Sequence, residues 1–420
     1  MSATKTFDGK IGKRKKNIIN TLRTYIYNAG LWQGHKAKEA YWALVARISF
    51  LINVATQIIT LFLVMDDVAK LFQCFSIFTF CCMAVLKLNS LHKCSKKWLA
   101  VFKQAQELED YISSNHHANV EYESEDELEG KDNLVERNIE PYHTKFRSTL
   151  TFINSIYIFT LLIFLLAPFI EYEYWIINYV EIEGYPHVLP GWAPLDNLGL
   201  VGYIVTIVFE IIAAVYCLVI HLSFDVTCVG LMIFLSGQFA LLRERTAKIG
   251  GRGKNYQLTP ARDSRAHYRI IECHCSHVIL VKLMQEIDEL MRFILGVYYL
   301  IATLTLCSIA VRLNSEQMSA MQFASLLQYM VGTVVQLYLY CHFGDSVYNE
   351  SYTGMGEGPF ASSYWCLSLG ERREICMLSI GLTKQHRLNA GPFNSLDLPS
   401  FVQIVRMAYS CYALLHNNGQ

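Results

Sequence analysis

The sequence predicts an all-α membrane protein. It has seven transmembrane helices, the N-terminus cytoplasmic and the C-terminus extracellular, joined to a cytosolic helical domain. Three observations carry that prediction. Hydrophobic residues make up 53% of the 420 residues and charged residues only 17%, with a mean hydropathy of +0.25, beyond the range of soluble domains. Apolar runs long enough to cross a bilayer core of about 30 Å recur along the chain. Lys and Arg gather on alternate sides of those runs. Net charge is zero, so the overall balance points to no partner, and the placement of charge has to carry the argument.

The N-terminal segment, 1–44, is polar and basic through Lys13, Arg14, Lys15 and Lys16. Nothing in it resembles a cleavable signal peptide, so the first span is expected to act as its own insertion signal. Spans follow at 45–65, 71–88, 150–170, 200–222, 293–311, 323–340 and 401–415. The seventh is short and holds Arg406, so hydropathy alone could refuse it. Orientation comes from the flanks. Lys87 at the end of the second span and Lys93, Lys96 and Lys97 after it form one flank, Lys145 and Arg147 precede the third, and Arg243, Arg245, Lys248, Arg252 and Lys254 follow the fourth. Those sides are inside. The stretch 171–198 has no Lys or Arg yet carries Glu171, Glu173, Glu181, Glu183 and Asp196, which places it outside.

Between the spans, the loop 92–147 contains an acidic stretch, 107–140, with Glu121, Glu123, Glu125, Asp126, Glu127 and Glu129 clustered, which reads as solvated chain. The outer stretch 171–198 holds Trp175, Trp192 and Tyr185. Pro186, Pro190 and Pro194 prevent one continuous helix there. It reads as a lid over an outward-facing pocket or as an interfacial anchor. Residues 223–292 continue the fourth span and lead into the fifth (293–340 holding the fifth and sixth) as amphipathic helices. In 341–400 a Ser-rich cap opens a helix that places Tyr364, Leu367, Ile375, Leu378 and Leu382 near one face. Gly391 and Pro392 break it. Amphipathic cytosolic helices need a surface to bury against, and one another and neighbouring copies supply it.

The closing stretch, 401–417, places Gln403, Met407, Ser410, Leu414 and Asn417 on one helical face, with Arg406 and Ala413 beside them. Val402, Val405, Cys411, Tyr412 and Leu415 fall on the other. A bilayer tolerates polar side chains where they turn to protein or water, so the stripe is expected to line an aqueous path with Leu414 as an apolar constriction. The same pattern also suits a terminal helix packed on its neighbours.

Other signals have plainer readings. Cys273, His274, Cys275 and His277 crowd one helix too closely to complete a four-coordinate zinc shell, and no metal or cofactor is expected. The run 250–254 lacks the spacing and hydroxyl of a phosphate-binding loop. The sequon at Asn349 falls on the cytoplasmic side and is expected to be unused. No nucleophile, base and orienter form a set, so an enzyme is not expected. The basic segments fit membrane flanks and lipid headgroups, not nucleic acid.

The run 225–242 resembles the insect odorant receptors. So do His277, Leu280 and Leu283, then Gln336, Tyr340, Cys341 and Gly344. Further matches are Tyr364, Trp365 and Arg372, then Ala390, Gly391 and Phe393, then Leu396, Phe401 and the Tyr409, Ser410, Tyr412 and Leu415 cluster. The similarity covers the chain and is strongest from Asp225 onwards. It implies a ligand-gated, non-selective cation channel of four subunits in the plasma membrane of a sensory neuron dendrite. The last helix lines the pore, a cytosolic anchor domain holds the tetramer, and each subunit binds a volatile odorant or pheromone. Leu414 then matches the family's gate and Asn417 its polar neighbour. The ending, with Cys411, Tyr412, His416, Asn417 and Asn418, departs from that of the family's co-receptor and suits an odour-tuning subunit that pairs with it. A gustatory-type channel is the alternative within this class. A G-protein-coupled receptor would need the opposite orientation, and a secondary transporter would often show a repeat that the sequence lacks.

With that topology, a pocket in the outer half of the bundle draws on Phe72 and Phe75, Tyr157, Thr160 and Phe164, Tyr203, Thr206 and Glu210, and Gln322 and Leu326. Most are aromatic or apolar, as a volatile ligand held by dispersion contacts requires. Glu210 is an ionisable group in an apolar span and is expected to face the bundle interior or water.

Overall fold

The chain folds around one helix whose central stretch is buried on every side. In the computed structural model, which describes residues 18–30, 37–66, 68–118, 132–177, 185–251, 259–313 and 320–418, that helix is α6, Leu200–Thr246. The basic run Lys13 to Lys16, the acidic cluster 121–129 and residues 252–254 lie outside the described residues, as do the side chains of Phe72, Leu414 and Asn417. Residues 223–235 of α6 are all buried, so this stretch is not the amphipathic extension the sequence suggested. A helix apolar on every face belongs in a core. Around it pack α1 (Ile18–Asn28), α2 (Ala37–Leu63), α3 (Val68–Lys93), α5 (Asp132–Ile177), α7 (Pro260–Leu313) and α8 (Ala320–Tyr352). Glycine lets two of them approach its backbone: a Cβ on Gly230 would lie 2.6 Å from Leu22 of α1, and one on Gly237 would lie 2.8 Å from Tyr142 of α5.

Among the described residues, five helices are long and apolar enough to cross a membrane: Tyr41–Leu63, Cys74–Lys93, Pro141–Tyr174, Leu200–Thr246 and Pro260–Leu313. The chain is an all-α membrane protein. The sixth and seventh predicted spans are helical, within α8 and α10 (Leu398–Asn418), but more polar. At 1.5 Å per residue α7 is roughly 80 Å long, more than twice a bilayer core. A single crossing therefore leaves a large part of this helix outside the hydrocarbon core.

The acidic stretch 107–140 is not all solvated chain. Helix α4, Ser95–Ala118, runs into it, with Trp98, Val101, Phe102, Ala105 and Leu108 buried at helical spacing. Helix α1, in the segment read as a basic tail, buries Ile18, Ile19, Leu22 and Ile26 in the same way. The helix expected to open at the Ser-rich cap starts later, as α9, Leu369–Leu382, after short 3-10 turns. It buries Ile375, Leu378 and Leu382.

Between α9 and α10 stands a hairpin of β1 (Asn389–Ala390) and β2 (Asn394–Ser395), which the sequence had shown only as a break. Gly391 turns it at φ 73°, and its amide donates to the Arg292 carbonyl at 2.8 Å. A Cβ on Gly296 of α7 would lie 2.6 Å from Gly391 Cα, so the hairpin rests directly on the α7 backbone. Asp288 fixes it from below by accepting the Asn389 amide at 2.6 Å.

Candidate functional site

A cavity opens between α3, α5, α6, α7 and α8, spanning about 880 Å³ of unfilled space when the open solvent at its mouth is counted. Four of the helices contribute one face at three- to four-residue spacing: Tyr157 and Thr160 from α5, His221 and Asp225 from α6, Tyr298 and Ala302 from α7, Gln328, Gly332 and Gln336 from α8. Phe80, Ile156, Val229, Ile301 and Leu339 make the walls apolar. The polarity that set α8 apart from the other spans is thereby explained, because Gln328 and Gln336 point inward. Gln328 Nε2 donates to Thr160 Oγ1 at 3.0 Å across the cavity.

One end of the cavity is closed by charge. Asp225 is 3% exposed and Lys87 fully buried, and Lys87 Nζ donates to Asp225 Oδ1 at 2.5 Å. Tyr340 donates to the same oxygen at 2.5 Å, while Gln336 Nε2, at 2.6 Å, and the Tyr157 hydroxyl donate to Oδ2. Each carboxylate oxygen therefore has two donors, as a buried carboxylate requires. On the other side of Lys87 stands His221, with Nδ1 3.0 Å from Nζ and Nε2 3.1 Å from the Phe80 carbonyl. An ammonium only donates, so Nδ1 accepts and the ring proton sits on Nε2. His221 is neutral and stacks on Phe80 at 4.1 Å. The network joins α3, α5, α6 and α8 at one point.

Of the ten residues the sequence nominated for a pocket, Tyr157 and Thr160 line this cavity. Phe75, Phe164, Tyr203, Thr206, Glu210, Gln322 and Leu326 do not, and the Phe72 side chain lies outside the described residues. They stand nearer the 185–198 end of the bundle. Gln322 donates to Glu171 at 2.6 Å, Tyr203 to the Pro186 carbonyl at 3.0 Å, and Thr206 to the Gly202 carbonyl of its own helix. Glu210 turns to the backbone of Val188. On α6 the nominated set stops at Glu210, about 16 Å of helix short of His221. The residues that sequence reasoning missed include Lys87, counted there as a flanking charge, and Asp225. Their signal was two opposite charges inside apolar runs, a pattern that calls for pairing.

Helix α10 begins at a cap that the sequence did not single out. Asp397 Oδ1 accepts the Ser400 amide at 2.9 Å, and Ser395 donates to Oδ2 at 2.5 Å. Burial alone would raise the Asp397 carboxyl, but these hydrogen bonds and the nearby Arg387 hold it below the usual value. The helix packs on α7 and α8 through Ile404 and Ala408, which are buried. Gln403, Arg406, Met407 and Ser410 are exposed in the single chain. Val402 and Val405, which the sequence placed on the opposite face, are exposed as well. The strip in contact is narrower than the apolar half of the helix.

The fold is shared with known proteins. The structure of the insect olfactory receptor OR5 from Machilis hrabei in complex with eugenol matches over 96% of this chain and 100% of that chain, with a TM-score of 0.74 and 13% identity. The same receptor in a second structure matches at 0.72 and 14%, over 95% and 99% of the two chains. Odorant receptor 13a of Drosophila melanogaster is 24% identical over 229 residues, 52% of this chain and 54% of that protein. The chain thus spans about half the length of the curated relative it matches. The profile described as 7tm Odorant receptor matches residues 67–409, which include every helix around the cavity, the hairpin and most of α10. With most of its length accounted for in this way, the chain belongs to the 7tm odorant receptor family.

Proposed function

We propose that the chain is an odour-tuning subunit of a ligand-gated, non-selective cation channel, opened by a volatile odorant or pheromone that occupies the cavity beside Tyr157 and Thr160. The observation that carries the proposal is the cavity itself: apolar walls, and one polar end whose carboxylate is already saturated. Such a site gains binding free energy from shape and dispersion contacts. The family is one of receptors, not enzymes. In the proposed channel α10 lines the conduction path with Gln403, Met407, Ser410, Leu414 and Asn417. Its exposed polar sector then faces the equivalent helices of neighbouring subunits, a co-receptor among them, around a common axis. The membrane is the plasma membrane of a sensory neuron dendrite.

Current recording from cells that co-express the chain with the family's co-receptor, against a broad volatile panel, tests this. Ala302→Trp, which fills the cavity, is expected to abolish or re-tune the response while the receptor still reaches the surface. Tyr203→Phe, away from the cavity, is expected to leave ligand ranking unchanged. An Ala302→Trp channel with wild-type ranking and potency would place the ligand elsewhere.

A further inference from the structure

The chain between α5 and α6 folds back onto α6 around a single carboxylate. Glu210 is 4% exposed although its run is apolar. Its Oε2 accepts the Val188 and Leu189 amides, at 2.9 and 3.4 Å. Its Oε1 faces His187 Nδ1 at 3.0 Å, and across the ring His187 Nε2 lies 2.8 Å from Asp196 Oδ2. Ionised carboxylates only accept, so two of them on opposite ring nitrogens are both satisfied by an imidazolium and not by a neutral ring. The rest of the segment is fitted to the same place. Val188 and Leu189 are 3% and 4% exposed, and Tyr185 stacks on Tyr203 at 4.6 Å. Gly191 meets α2 closely enough that a Cβ would lie 3.0 Å from the Thr56 hydroxyl.

We propose that His187 is a proton-operated latch: as an imidazolium it clasps Glu210 of α6 and Asp196 of the 3-10 turn, holding residues 185–198 on the ends of α2 and α6, and loss of its proton frees the segment. Among the described residues, the charged groups facing the ring are those two carboxylates. Tyr203 of α6 stands at its edge, 5.8 Å between centroids, with Tyr185 stacked behind and Tyr172 of α5 acting on Tyr203, while α2 brings the uncharged Thr56. The hydrogen bond to Glu210, against the opposing pull of burial, raises His187 above the ordinary histidine value. The latch therefore contributes fully below the unfolded value of about 6.5 and fades as pH rises through the higher folded value. Freed at alkaline pH, the segment no longer ties α2 to α6, the helix that also carries His221 and Asp225.

Hydrogen exchange of the full-length receptor in lipid discs, corrected for the intrinsic pH dependence of exchange, reads the Val188 and Leu189 amides directly. The wild type is expected to protect them near pH 6 and to lose about tenfold of that protection as the pH is raised beyond the His187 transition. His187→Gln, uncharged throughout, is expected to show the low protection at every pH. Glu210→Gln keeps an acceptor for the amides but removes one charge, and is expected to move the wild-type transition down by about one pH unit or more. A flat wild-type profile, an unchanged transition in His187→Gln, or a Glu210→Gln transition that stays put or moves up would each overturn the latch. If His187→Gln fails to fold, the Glu210→Gln shift decides.

Discussion

At the scale of single residues, the buried pair of Lys87 and Asp225 sets the terms for everything around it. An ion pair in a low-dielectric interior is held by its own attraction and by the hydrogen bonds that saturate it, and losing one partner strands the other. Asp225→Asn, which leaves the Lys87 ammonium unmatched, is expected to destabilise the receptor by about 3–5 kcal/mol. Thermal unfolding of purified protein measures it. The double variant Lys87→Met with Asp225→Leu is expected to recover a large part of that loss, since neither leaves a charge behind. A double variant as unstable as the sum of its singles would show that the two residues act independently. Tyr157→Phe removes one donor to the carboxylate and is expected to cost about 1.5–3 kcal/mol, the range for a hydrogen bond to a charged group. None of this pairing was readable from spacing. Lys87 and Asp225 are 138 positions apart, and Glu210 and His187 are 23 apart and on different elements. Lys87, Asp225 and Glu210 each stood in an apolar run as a charge out of place, but the partner of each is chosen by tertiary packing.

At the scale of elements, the helices were the legible part. Apolar periodicity located the buried face of α9, because a helix must present its apolar stripe to the core whatever its neighbours are. Periodicity failed for α6, where burial on all sides leaves no polar face to mark the phase. It also failed to place the cavity, since depth along a span depends on how the helices are staggered. The hairpin was invisible for a different reason: its two-residue strands are held by contacts to α7, not by their own propensity. Those contacts make a prediction. Gly296→Ala pushes a Cβ into Gly391 and is expected to destabilise the receptor by about 1–3 kcal/mol, the usual penalty of overpacking. It should also release the hairpin from α7, seen as faster exchange of the Gly391 amide. Next along the chain, Asp397→Ala removes the cap of α10 and is expected to cost about 1 kcal/mol of helix stability. Because the Asp397 carboxyl is held below its usual value, its contribution is present above the unfolded value of about 3.9 and is lost as pH falls through the folded one. Wild type and Asp397→Ala should therefore converge in stability under acid and diverge near neutrality, as paired melting curves would register.

At the scale of the whole molecule, the long helices α6 and α7 run from the 185–198 end, past the cavity, to the region of the hairpin and α9. In the proposed binding mode a ligand beside Tyr157 touches the same network that fixes α6 against α3 and α8, and α8 in turn packs on α10. That continuity gives binding a mechanical route to the last helix. An epitope tag at the N-terminus should be accessible only in permeabilised cells, as the distribution of Lys and Arg requires, and labelling of intact cells would reverse the topology. The most direct measurement is a density map of the receptor, co-expressed with the proposed co-receptor partner, bound to an odorant that activates it. The account predicts ligand density between α3, α5, α6, α7 and α8 in contact with Tyr157 and Phe80, and α10 beside the central axis of the assembly. Ligand density outside this cavity, or an α10 buried among other helices away from that axis, would contradict it.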